Sequence, residues 1–392
     1  MVLTTGKTIT TGTNGRATLY TGSSSGSGAN LNAYIGAGSG RFRYNSDEVT
    51  TNYSAALTSG LYAIYRQNPT LTIAANNTSM VYGAASTPTT TSTTTGYLNG
   101  DTYAQSVSTD ASIAIAGARS GANYLTAGNH NLTASGAAGG LGYGFAYTDG
   151  TLAVTPKALT ITATATGKTY DASAAATTAL DSNKFQNDVV QLNSTSSLFN
   201  NKNAGAGKTV TVSGLSIAGA DAANYTLSNT TATTSATIAA KALTASFTAA
   251  DKIYNGNTTA AVTGTSSDII AGDTVSFANT ATFADKNVGT GKVVTISGVQ
   301  LTGTDAANYA LSNTTASANA SISAKALTAS FNASNKVYDG STTATVTGTS
   351  LGIEGADVVT FANTAATFND KNVGVNKAVS ISGITMGGAG AG

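Results

Sequence analysis

Apolar and polar residues alternate along much of this chain, and the alternation is plainest between Lys241 and Ala324. Leu243, Ala245 and Phe247 occupy every second position there, so all three face one side of an extended segment. The same spacing recurs in four later pairs: Val275 and Phe277, Val294 and Ile296, Val299 and Leu301, and Tyr309 and Leu311. Turn residues separate these pairs at Asn255-Gly256, Gly272-Asp273 and Gly289-Thr290-Gly291. The pattern predicts roughly seven short, half-buried strands in this segment.

Strands at this spacing favour an immunoglobulin-like β-sandwich. The alternative is a small sheet wrapped around one helix, as in a β-grasp-like module. The helix-tolerant piece in the segment, Asp305-Ala306-Ala307-Asn308, is only about one turn long, which favours the sandwich. The predicted fold class is therefore mostly β.

The segment is one copy of a tandem repeat. Lys-Ala-Leu-Thr opens a copy at Lys157, Lys241 and Lys325, which gives a constant period of 84, since 241 − 157 and 325 − 241 are equal. Three further markers recur in order after each opening. The first marker is a tyrosine turn, found at Tyr170-Asp171-Ala172, Tyr254-Asn255-Gly256 and Tyr338-Asp339-Gly340. The second marker spans Asn201 to Gly205, Asp285 to Gly289 and Asp370 to Gly374, and the third marker spans Gly219 to Tyr225 and Gly303 to Tyr309. A fixed period of this length predicts a tandem array of small domains.

The markers divide the chain into five predicted segments. They are an irregular, Gly/Ser-rich β segment at 1–68, a related β module at 69–156, and three repeats at 157–240, 241–324 and 325–392. In the first segment we expect strands at Ala17 to Tyr20 and Leu61 to Tyr65, joined by flexible turns such as the run from Gly22 to Gly28. The threonine-rich stretch from Thr87 to Thr95 fits a polar strand or a loop.

The third repeat ends before the residues that correspond to Asn308 through Ala324, including Tyr309, Leu311 and Ile322. Aliphatic side chains such as Leu and Ile contribute roughly 1.5–3 kcal/mol each when fully buried, and a missing strand leaves a neighbour with unpaired backbone groups. We therefore expect 325–392, as a truncated repeat, to be the least stable module and the main source of self-association.

Composition narrows the classes of partner. Charged residues are only 9% of the chain and the formal net charge is +1, so no strong field exists to hold nucleic acid or an anionic membrane surface. No stretch approaches the roughly 18 apolar residues of a membrane span, and Met1 to Gly6 lacks the basic and apolar regions of a signal peptide. We expect no nucleic-acid partner, no membrane insertion and no export signal in this chain.

Catalytic constellations are missing from the sequence. His130 is the sole histidine and cysteine is absent, so neither can support a nucleophile-base triad. Gly205-Ala206-Gly207-Lys208-Thr209 resembles a phosphate-binding loop but fails its spacing, and the alternating Val210 and Val212 predict a strand instead. Composition leaves room for a pair of carboxylates that hydrolyses glycosides, but nothing in the sequence places two Asp beside an aromatic platform. We therefore expect no catalytic residues, no cofactor and no enzymatic activity, and a polysaccharide-acting enzyme is the least favoured alternative.

Calcium is the metal that the aspartates could bind, because carboxylate oxygens are its preferred ligands. At the marker turns, however, Asp and Asn replace one another: Asn201 stands where Asp285 and Asp370 do, and Asn255 stands where Asp171 and Asp339 do. A turn accepts either side chain, which favours turn chemistry. Asp221 and Asp305 do not vary and are the weak calcium candidates, although capping of the next backbone amides explains them equally well.

The ordered markers resemble those of YDG-type repeats in large bacterial exoproteins, the filamentous haemagglutinin-like adhesins. Residues 69–156 with the Tyr82-Gly83 turn are similar to the companion MBG-type domain, and Gly40 to Asp47 resembles the segment that precedes such domains. The resemblance covers essentially the whole chain.

This resemblance implies a function that composition alone does not. It implies export by two-partner secretion through an outer-membrane secretion partner, an extracellular or cell-surface location, and a structural stalk that holds a binding tip away from the cell. The alternative is that the repeats themselves bind a host glycan or surface protein. The resemblance also implies that this chain is an internal part of a longer exoprotein.

Overall fold

The computed structural model describes residues 8–390, apart from the side chains of residues 27–30. The prediction that Met1 to Gly6 is not a signal peptide concerns residues outside this described range. Within them the chain is mostly β and forms many small sheets, as predicted. The described residues divide into two compact units, one of residues 8–164, 179–196 and 212–233 and the other of residues 165–178, 197–211 and 234–390. No helix in the described range is long and apolar enough to cross a bilayer.

The first segment contains a parallel three-stranded sheet in the order β1-β3-β2 and one helix. The elements are β1 Arg16–Thr21, α1 Ser24–Ile35, β2 Phe42–Arg43 and β3 Gly60–Tyr65. Both expected strands are present, but the glycine- and serine-rich run begins a helix and is not a flexible turn. Ser23 Oγ accepts from Gly26 N, Gln67 Oε1 accepts from Ser24 N at 2.8 Å, and Leu31 is buried, so tertiary contacts override weak helix propensity.

Residues 69–156 form two sheets, β5-β10-β8-β7 and β6-β4-β9. The elements are β4 Thr70–Ala75, β5 Thr78–Val81, β6 Ser92–Thr95, α2 Tyr103–Ser106, β7 Ser112–Ala116, β8 Gly128–Ser135, β9 Gly144–Thr148 and β10 Gly150–Thr155. Ile73, Leu132 and Leu152 are fully buried between the sheets. The threonine-rich stretch from Thr87 to Thr95, for which the sequence allowed a strand or a loop, forms a strand only in its last four residues, which are β6.

The repeat at 157–240 contributes residues to both units. Its strands are β11 Lys157–Leu159, β12 Ile161–Ala165, β13 Lys168–Thr169, β14 Thr178–Ser182, β15 Gln191–Asn193, β16 Ser196–Phe199, β17 Gly205–Ser213, β18 Ser216–Ala218, β19 Tyr225–Leu227 and β20 Thr231–Ala239. They form the pairs β11-β19, β12-β14 and β15-β18 and the four-stranded sheet β13-β20-β17-β16. Gly205 to Thr209 opens β17, which confirms the strand prediction over the phosphate-binding loop.

The repeat at 241–324 has eight strands where about seven were predicted. They are β21 Lys241–Leu243, β22 Ser246–Ala249, β23 Lys252–Ile253, β24 Val262–Thr265, β25 Ser276–Phe283, β26 Gly289–Thr302, β27 Tyr309–Leu311 and β28 Ala316–Ser323. The two-residue strand β23 is too short to show alternation, and its parallel pairing with β28 is a long-range contact. Ala306–Asn308 is a single 3-10 turn.

A two-layer core holds this repeat together, as expected for a β-sandwich. The four-stranded sheet β23-β28-β26-β25 faces the pairs β21-β27 and β22-β24. Leu243, Val294 and Ile296 are fully buried in one cluster, and Phe247 meets Phe277 edge to face at 5.8 Å. Each fully buried side chain of this size contributes roughly 1.5–3 kcal/mol, so the predicted inward positions supply the main stabilising term.

The third repeat has a thinner core. Its strands are β29 Ser330–Ala333, β30 Val346–Thr349, β31 Thr360–Ala362, β32 Ala365–Phe368, β33 Val379–Ser382 and β34 Thr385–Gly387, which form the pairs β29-β30, β31-β34 and β32-β33. Among the described residues of this repeat, the buried apolar side chains are Ala344 and Ala366. Val379 and Ile381 are only half buried, whereas their counterparts Val294 and Ile296 are fully buried.

We predict that amides of the third repeat exchange faster than those of the second. Half-buried strands in two-stranded sheets open with a smaller free energy than strands at the centre of a larger sheet. Native-state hydrogen exchange of the full chain should show Val379 and Ile381 exchanging well before Val294 and Ile296. Equal protection of the two pairs would contradict this expectation.

Candidate functional site at the module junctions

The marker turns use a side-chain oxygen that Asp and Asn share. Asp171 Oδ1 accepts from Ser173 N at 3.0 Å and from Lys168 Nζ at 2.7 Å. In the next repeat Asn255 Oδ1 accepts from Lys252 Nζ at 2.9 Å, and Asn257 N lies 3.4 Å from the same atom. This local bonding is an Asx turn closed by a lysine, which confirms the turn chemistry inferred from Asp/Asn exchange.

The tyrosine beside each turn has a different role, because its hydroxyl reaches the following repeat. Tyr170 OH lies 2.9 Å from Oδ2 and 3.1 Å from Oδ1 of Asp273, 103 residues further along the chain. Tyr309 OH donates to Asp273 Oδ2 at 2.7 Å, and Lys202 Nζ lies 3.1 Å from Oδ1. The Asp273 side chain is 1% exposed, so three donors converge on one buried carboxylate.

A tight turn holds Asp273 in place. Asp273 N donates to Ile270 O at 3.1 Å, and Gly272 adopts a φ of 94°, a conformation that favours glycine. Tyr309 OH accepts from Ile270 N at 2.9 Å while it donates to Asp273. The one hydroxyl therefore fixes both ends of the turn that presents the carboxylate.

The second and third markers complete this junction. Asn308 Oδ1 accepts from Ala204 N at 2.8 Å, which joins the third marker of one repeat to the second marker of the repeat before it. Asp305 Oδ2 accepts from Thr274 N at 2.9 Å, and Asp305 Oδ1 lies 3.8 Å from Lys202 Nζ. All three sequence markers thus meet at one place in the second unit.

The first unit repeats the arrangement between the 69–156 module and the repeat at 157–240. Tyr82 OH and Tyr225 OH each donate to Asp188 Oδ2 at 2.6 Å, and Phe185 N donates to Tyr225 OH at 2.9 Å. A backbone amide takes the place of the lysine, because Ala122 N donates to Asp188 Oδ1 at 2.8 Å. The Asn224 amide oxygen accepts from Ala127 N at 2.7 Å, as Asn308 does in its junction.

A third junction of this type joins the first segment to the 69–156 module. Tyr44 OH and Tyr143 OH donate to Asp101 Oδ2 at 2.7 and 2.9 Å, and Leu98 N donates to Tyr143 OH at 2.9 Å. Asp101 is buried, yet its Oδ1 has no hydrogen-bond partner among residues 8–390. This carboxylate therefore has fewer donors than Asp188.

The junction between the second and third repeats has one tyrosine. Tyr254 OH and Lys286 Nζ approach the two oxygens of Asp357 at 2.5 Å each. A cavity of about 160 Å³ lies beside them, with Ile353, Glu354 and Met386 among its lining residues. Among the described residues, Tyr254 is the tyrosine whose hydroxyl reaches Asp357.

The donors decide how each carboxylate titrates. Burial raises the pKa of Asp273, but hydrogen bonds from Tyr309, Lys202 and Tyr170 outweigh burial and leave that pKa below its usual value. Asp188 behaves in the same way, with its pKa lowered by Tyr225, Tyr82 and the Ala122 amide against burial. Burial dominates at Asp101, whose pKa is raised. Burial next to Asp273 also raises the pKa of Tyr309 to about 12.

The two calcium candidates serve the junctions as hydrogen-bond acceptors. Asp221 Oδ2 accepts from Val189 N at 2.8 Å and from Gly121 N at 3.3 Å, and Asp305 makes the matching bond to Thr274 N. Neither carboxylate caps the 3-10 turn that follows it, so the expected capping of the next amides is wrong. Within the described residues, no group of three or more metal-ligating side chains is present.

Sequence reasoning missed the junction aspartates Asp101, Asp188, Asp273 and Asp357. Gly272-Asp273 was recognised only as a turn, because a hydrogen bond across 103 residues leaves no local pattern. A signal was nevertheless available. Asp188, Asp273 and Asp357 recur once per repeat without exchange for Asn, unlike the aspartates of the marker turns.

Family models match the modules that carry these junctions. A model described as YDG domain matches residues 155–234, 239–317 and 323–392, well over half of the chain. The chain belongs to the YDG domain family. A model described as MBG domain (YGX type) matches residues 71–153. An MBG module followed by three YDG repeats is consistent with the repeat region of an adhesin-like protein.

Solved structures and curated sequences add little to this assignment. Drosophila N-cadherin EC1-4 matches at 8% identity and a TM-score of 0.23, over 68% of this chain and 78% of its own. The I9-I11 tandem from titin matches at 10% identity and a TM-score of 0.17, over 66% and 98%. TM-scores this low carry no argument. No curated protein sequence matches the chain.

We predict that Tyr170→Phe destabilises the second YDG repeat and that Tyr338→Phe leaves the chain unchanged. The first substitution removes a hydrogen bond to a buried carboxylate, worth about 1.5–3 kcal/mol. Tyr338 is the equivalent tyrosine of the third repeat, where Lys336 and Asp339 form the equivalent Asx turn. It is 59% exposed, however, and its hydroxyl has no partner in the described chain. Hydrogen exchange at Val294 and Ile296 measures the loss, and equal effects of both substitutions would contradict the junction.

The junctions at Asp273 and Asp101 should change the free energy of unfolding in opposite directions as the pH falls. The folded pKa of Asp273 lies below the unfolded value of about 3.9, so its stabilisation is present above that pH and is lost as pH falls through the folded pKa. The raised pKa of Asp101 reverses the sign, and its contribution is lost as pH rises through the folded pKa.

Accordingly, Asp273→Asn should flatten the fall in the free energy of unfolding below about pH 4, while Asp101→Asn should be neutral or stabilising at pH 7. Exchange-derived opening free energies over a pH series test both statements. A steep acid response that survives Asp273→Asn would show that another group is responsible.

Millimolar Ca²⁺ should leave the melting temperature of the chain unchanged. A specific site near saturation would raise the free energy of unfolding by a few kcal/mol, but Asp221 and Asp305 already accept backbone amides. Calorimetry with and without Ca²⁺ tests this. An upward shift that disappears in Asp305→Asn would establish a calcium site.

Proposed function

We propose that this chain is a structural spacer in an adhesin, in which junction carboxylates hold successive modules in fixed orientation. The observation that supports the proposal is the recurrence of one bonding pattern: a tyrosine of one module and a tyrosine of the next donate to the same buried aspartate at Asp101, Asp188 and Asp273. A flexible tether needs no such bonds. A spacer that keeps a binding tip away from the cell needs bonds of this kind.

The bond geometry favours restraint of angle as well as distance. A carboxylate held by its own turn and by three donors from two modules fixes several directions at once, and the Asn308 bond to Ala204 N adds a second point of attachment. Two separated attachments resist both bending and rotation. This restraint distinguishes the junction from a linker of similar length.

The proposal also covers location. Membership of the YDG domain family and the ordered markers support an adhesin-like exoprotein of the filamentous haemagglutinin type, exported through an outer-membrane secretion partner and displayed outside the cell. Accessibility of the repeats to protease on intact cells that produce the full-length protein would test this part separately from the mechanics.

Glycan or surface-protein binding by the repeats is the alternative function. Sugar-binding sites commonly offer aromatic faces, but Tyr170, Tyr225 and Tyr309 are buried at junctions. These three tyrosines therefore serve the junctions and offer no open ring face to a sugar. Reproducible binding of one glycan class to the intact chain on a glycan array would favour this alternative over the spacer.

We predict a narrow distance distribution between equivalent positions in adjacent repeats. Ser235→Cys and Asn319→Cys place two spin labels on exposed strand positions, and the sequence has no other cysteine. Electron–electron dipolar spectroscopy of the labelled chain should give one narrow distribution, and Asp273→Ala should broaden it. Asp285→Asn, which introduces the residue found naturally at Asn201, is the matched control. A broad distribution in the unaltered junction would contradict the spacer function.

A further inference from the structure

The second YDG repeat has Asn255-Gly256 at a turn where the other two repeats have an aspartate. Asp171 and Asp339 occupy that position in the first and third repeats. Each of these side chains has an oxygen that accepts from the lysine three positions earlier, at 2.7 Å for Asp171, 2.9 Å for Asn255 and 2.9 Å for Asp339. The fold therefore accepts a carboxylate at the same turn as this amide.

An asparagine followed by glycine can react with its own main chain. The glycine nitrogen attacks the side-chain carbon Cγ, and no Cβ on the glycine obstructs the approach. The new C–N bond closes a succinimide ring while the bond from Cγ to Nδ2 breaks, and the hydrogen of the attacking N–H leaves with the amide as ammonia. Water then opens the ring, at Cγ to give aspartate or at the main-chain carbonyl carbon to give isoaspartate. Nothing is oxidised or reduced.

The turn at Asn255 leaves the attacking nitrogen free. Asn255 is exposed, and its Oδ1 lies 3.4 Å from Asn257 N. The equivalent bonds from Ser173 N and Ser341 N are shorter, at 3.0 and 2.9 Å. The Asx bond passes over Gly256, whose own N–H makes no hydrogen bond within the described residues. The amide side chain is thus held less tightly than the two aspartates.

Lys252 is placed to assist the reaction. Its ammonium donates to Asn255 Oδ1, the atom on which negative charge develops when a nitrogen adds to Cγ. A cation already positioned at a developing oxyanion lowers the barrier to addition. Lys252 Nζ also donates to Asn257 O at 2.7 Å and to Thr259 O at 3.0 Å, so the ammonium is fixed before the reaction begins. Afterwards it would face a carboxylate, as the equivalent lysines do in the other repeats.

The sequence has two other Asn-Gly steps, after Asn14 and Asn99, and both are built differently. Gly15 N donates to Gly12 O at 2.7 Å, which holds the nitrogen that follows Asn14. Asn99 Nδ2, the group that would have to leave, donates to Tyr44 OH at 3.0 Å. Within the described residues, no lysine or arginine donates to the amide oxygen of either asparagine. These two steps are internal controls for the third.

We propose that Asn255 is a self-modification site, which the second YDG repeat converts to aspartate through a succinimide with Gly256 while Lys252 stabilises the charge on the amide oxygen. The aspartate product gives all three repeats the same acidic turn and takes the formal net charge from +1 to 0, since one carboxylate is gained. Isoaspartate, which adds a carbon to the main chain, would instead displace Asn257 N from the turn. The proposal is independent of the spacer function.

The test follows conversion at the three Asn-Gly steps in the intact chain, incubated at neutral pH and analysed by peptide mass spectrometry. The variant Asn255→Asp supplies the authentic product. We expect Asn255 to convert about tenfold faster than Asn14 or Asn99, the equivalent of one hydrogen bond from a charged donor. In denaturant the three rates should converge, because the fold no longer distinguishes the steps.

Matched variants separate the parts of the mechanism. Gly256→Ala should nearly stop conversion, and Ala172, with a φ of 61° at the equivalent position, shows that the turn accepts alanine. Lys252→Met should slow conversion about tenfold, whereas Lys252→Arg, which keeps the charge, should retain most of the rate. Hydrogen exchange at Val294 and Ile296 reports that the repeat stays folded in each variant.

Four results would overturn the proposal. Conversion at Asn255 no faster than at Asn14 and Asn99 would show that the turn does not promote the reaction. An unchanged ranking in denaturant would assign the difference to neighbouring residues in the sequence. An unchanged rate in Gly256→Ala would exclude the succinimide. Faster conversion in Lys252→Met would show that the lysine restrains the amide and does not assist its reaction.

Discussion

A buried carboxylate is the constraint on which the array depends. Removing an ionised group from water costs several kcal/mol, and a protein recovers this only when donors surround the charge. At Asp273 those donors belong to two repeats, since Tyr170 and Lys202 precede the aspartate by one module and Tyr309 shares its own. Neither repeat can satisfy the charge alone in this geometry. The stability of one module is therefore tied to the position of its neighbour.

The same dependence explains why the markers recur together along the sequence. The tyrosine turn, the lysine of the second marker and the Asn-Tyr end of the third marker are remote from one another within a repeat, yet they meet at the Asp273 junction. In the first unit a backbone amide, Ala122 N, replaces the lysine while both tyrosines stay. The tyrosine pair and the aspartate are thus common to the junctions at Asp101, Asp188 and Asp273.

Sequence reasoning succeeded where the cause was local. Period-two alternation located the buried faces of Leu243, Val294 and Ile296, because a strand presents alternate side chains to the core. Exchange between Asp and Asn identified the marker turns, because both residues offer the same oxygen to the amide two positions on.

It failed where the cause was remote. The helix Ser24–Ile35 forms in a run of glycine and serine because Gln67 and a buried Leu31 hold it. The role of Asp273 depends on a tyrosine 103 residues away, which no window of sequence contains.

A double-mutant cycle on Tyr170 and Asp273 tests most directly whether the junction couples two repeats. The free energy of opening, read from hydrogen exchange at Val294 and Ile296 in the full chain, is measured for Tyr170→Phe, Asp273→Ala and the pair. The account predicts a coupling energy of about 1–2 kcal/mol, because Phe at position 170 costs little once the acceptor is gone. Additive losses, with no coupling beyond about 0.5 kcal/mol, would contradict it.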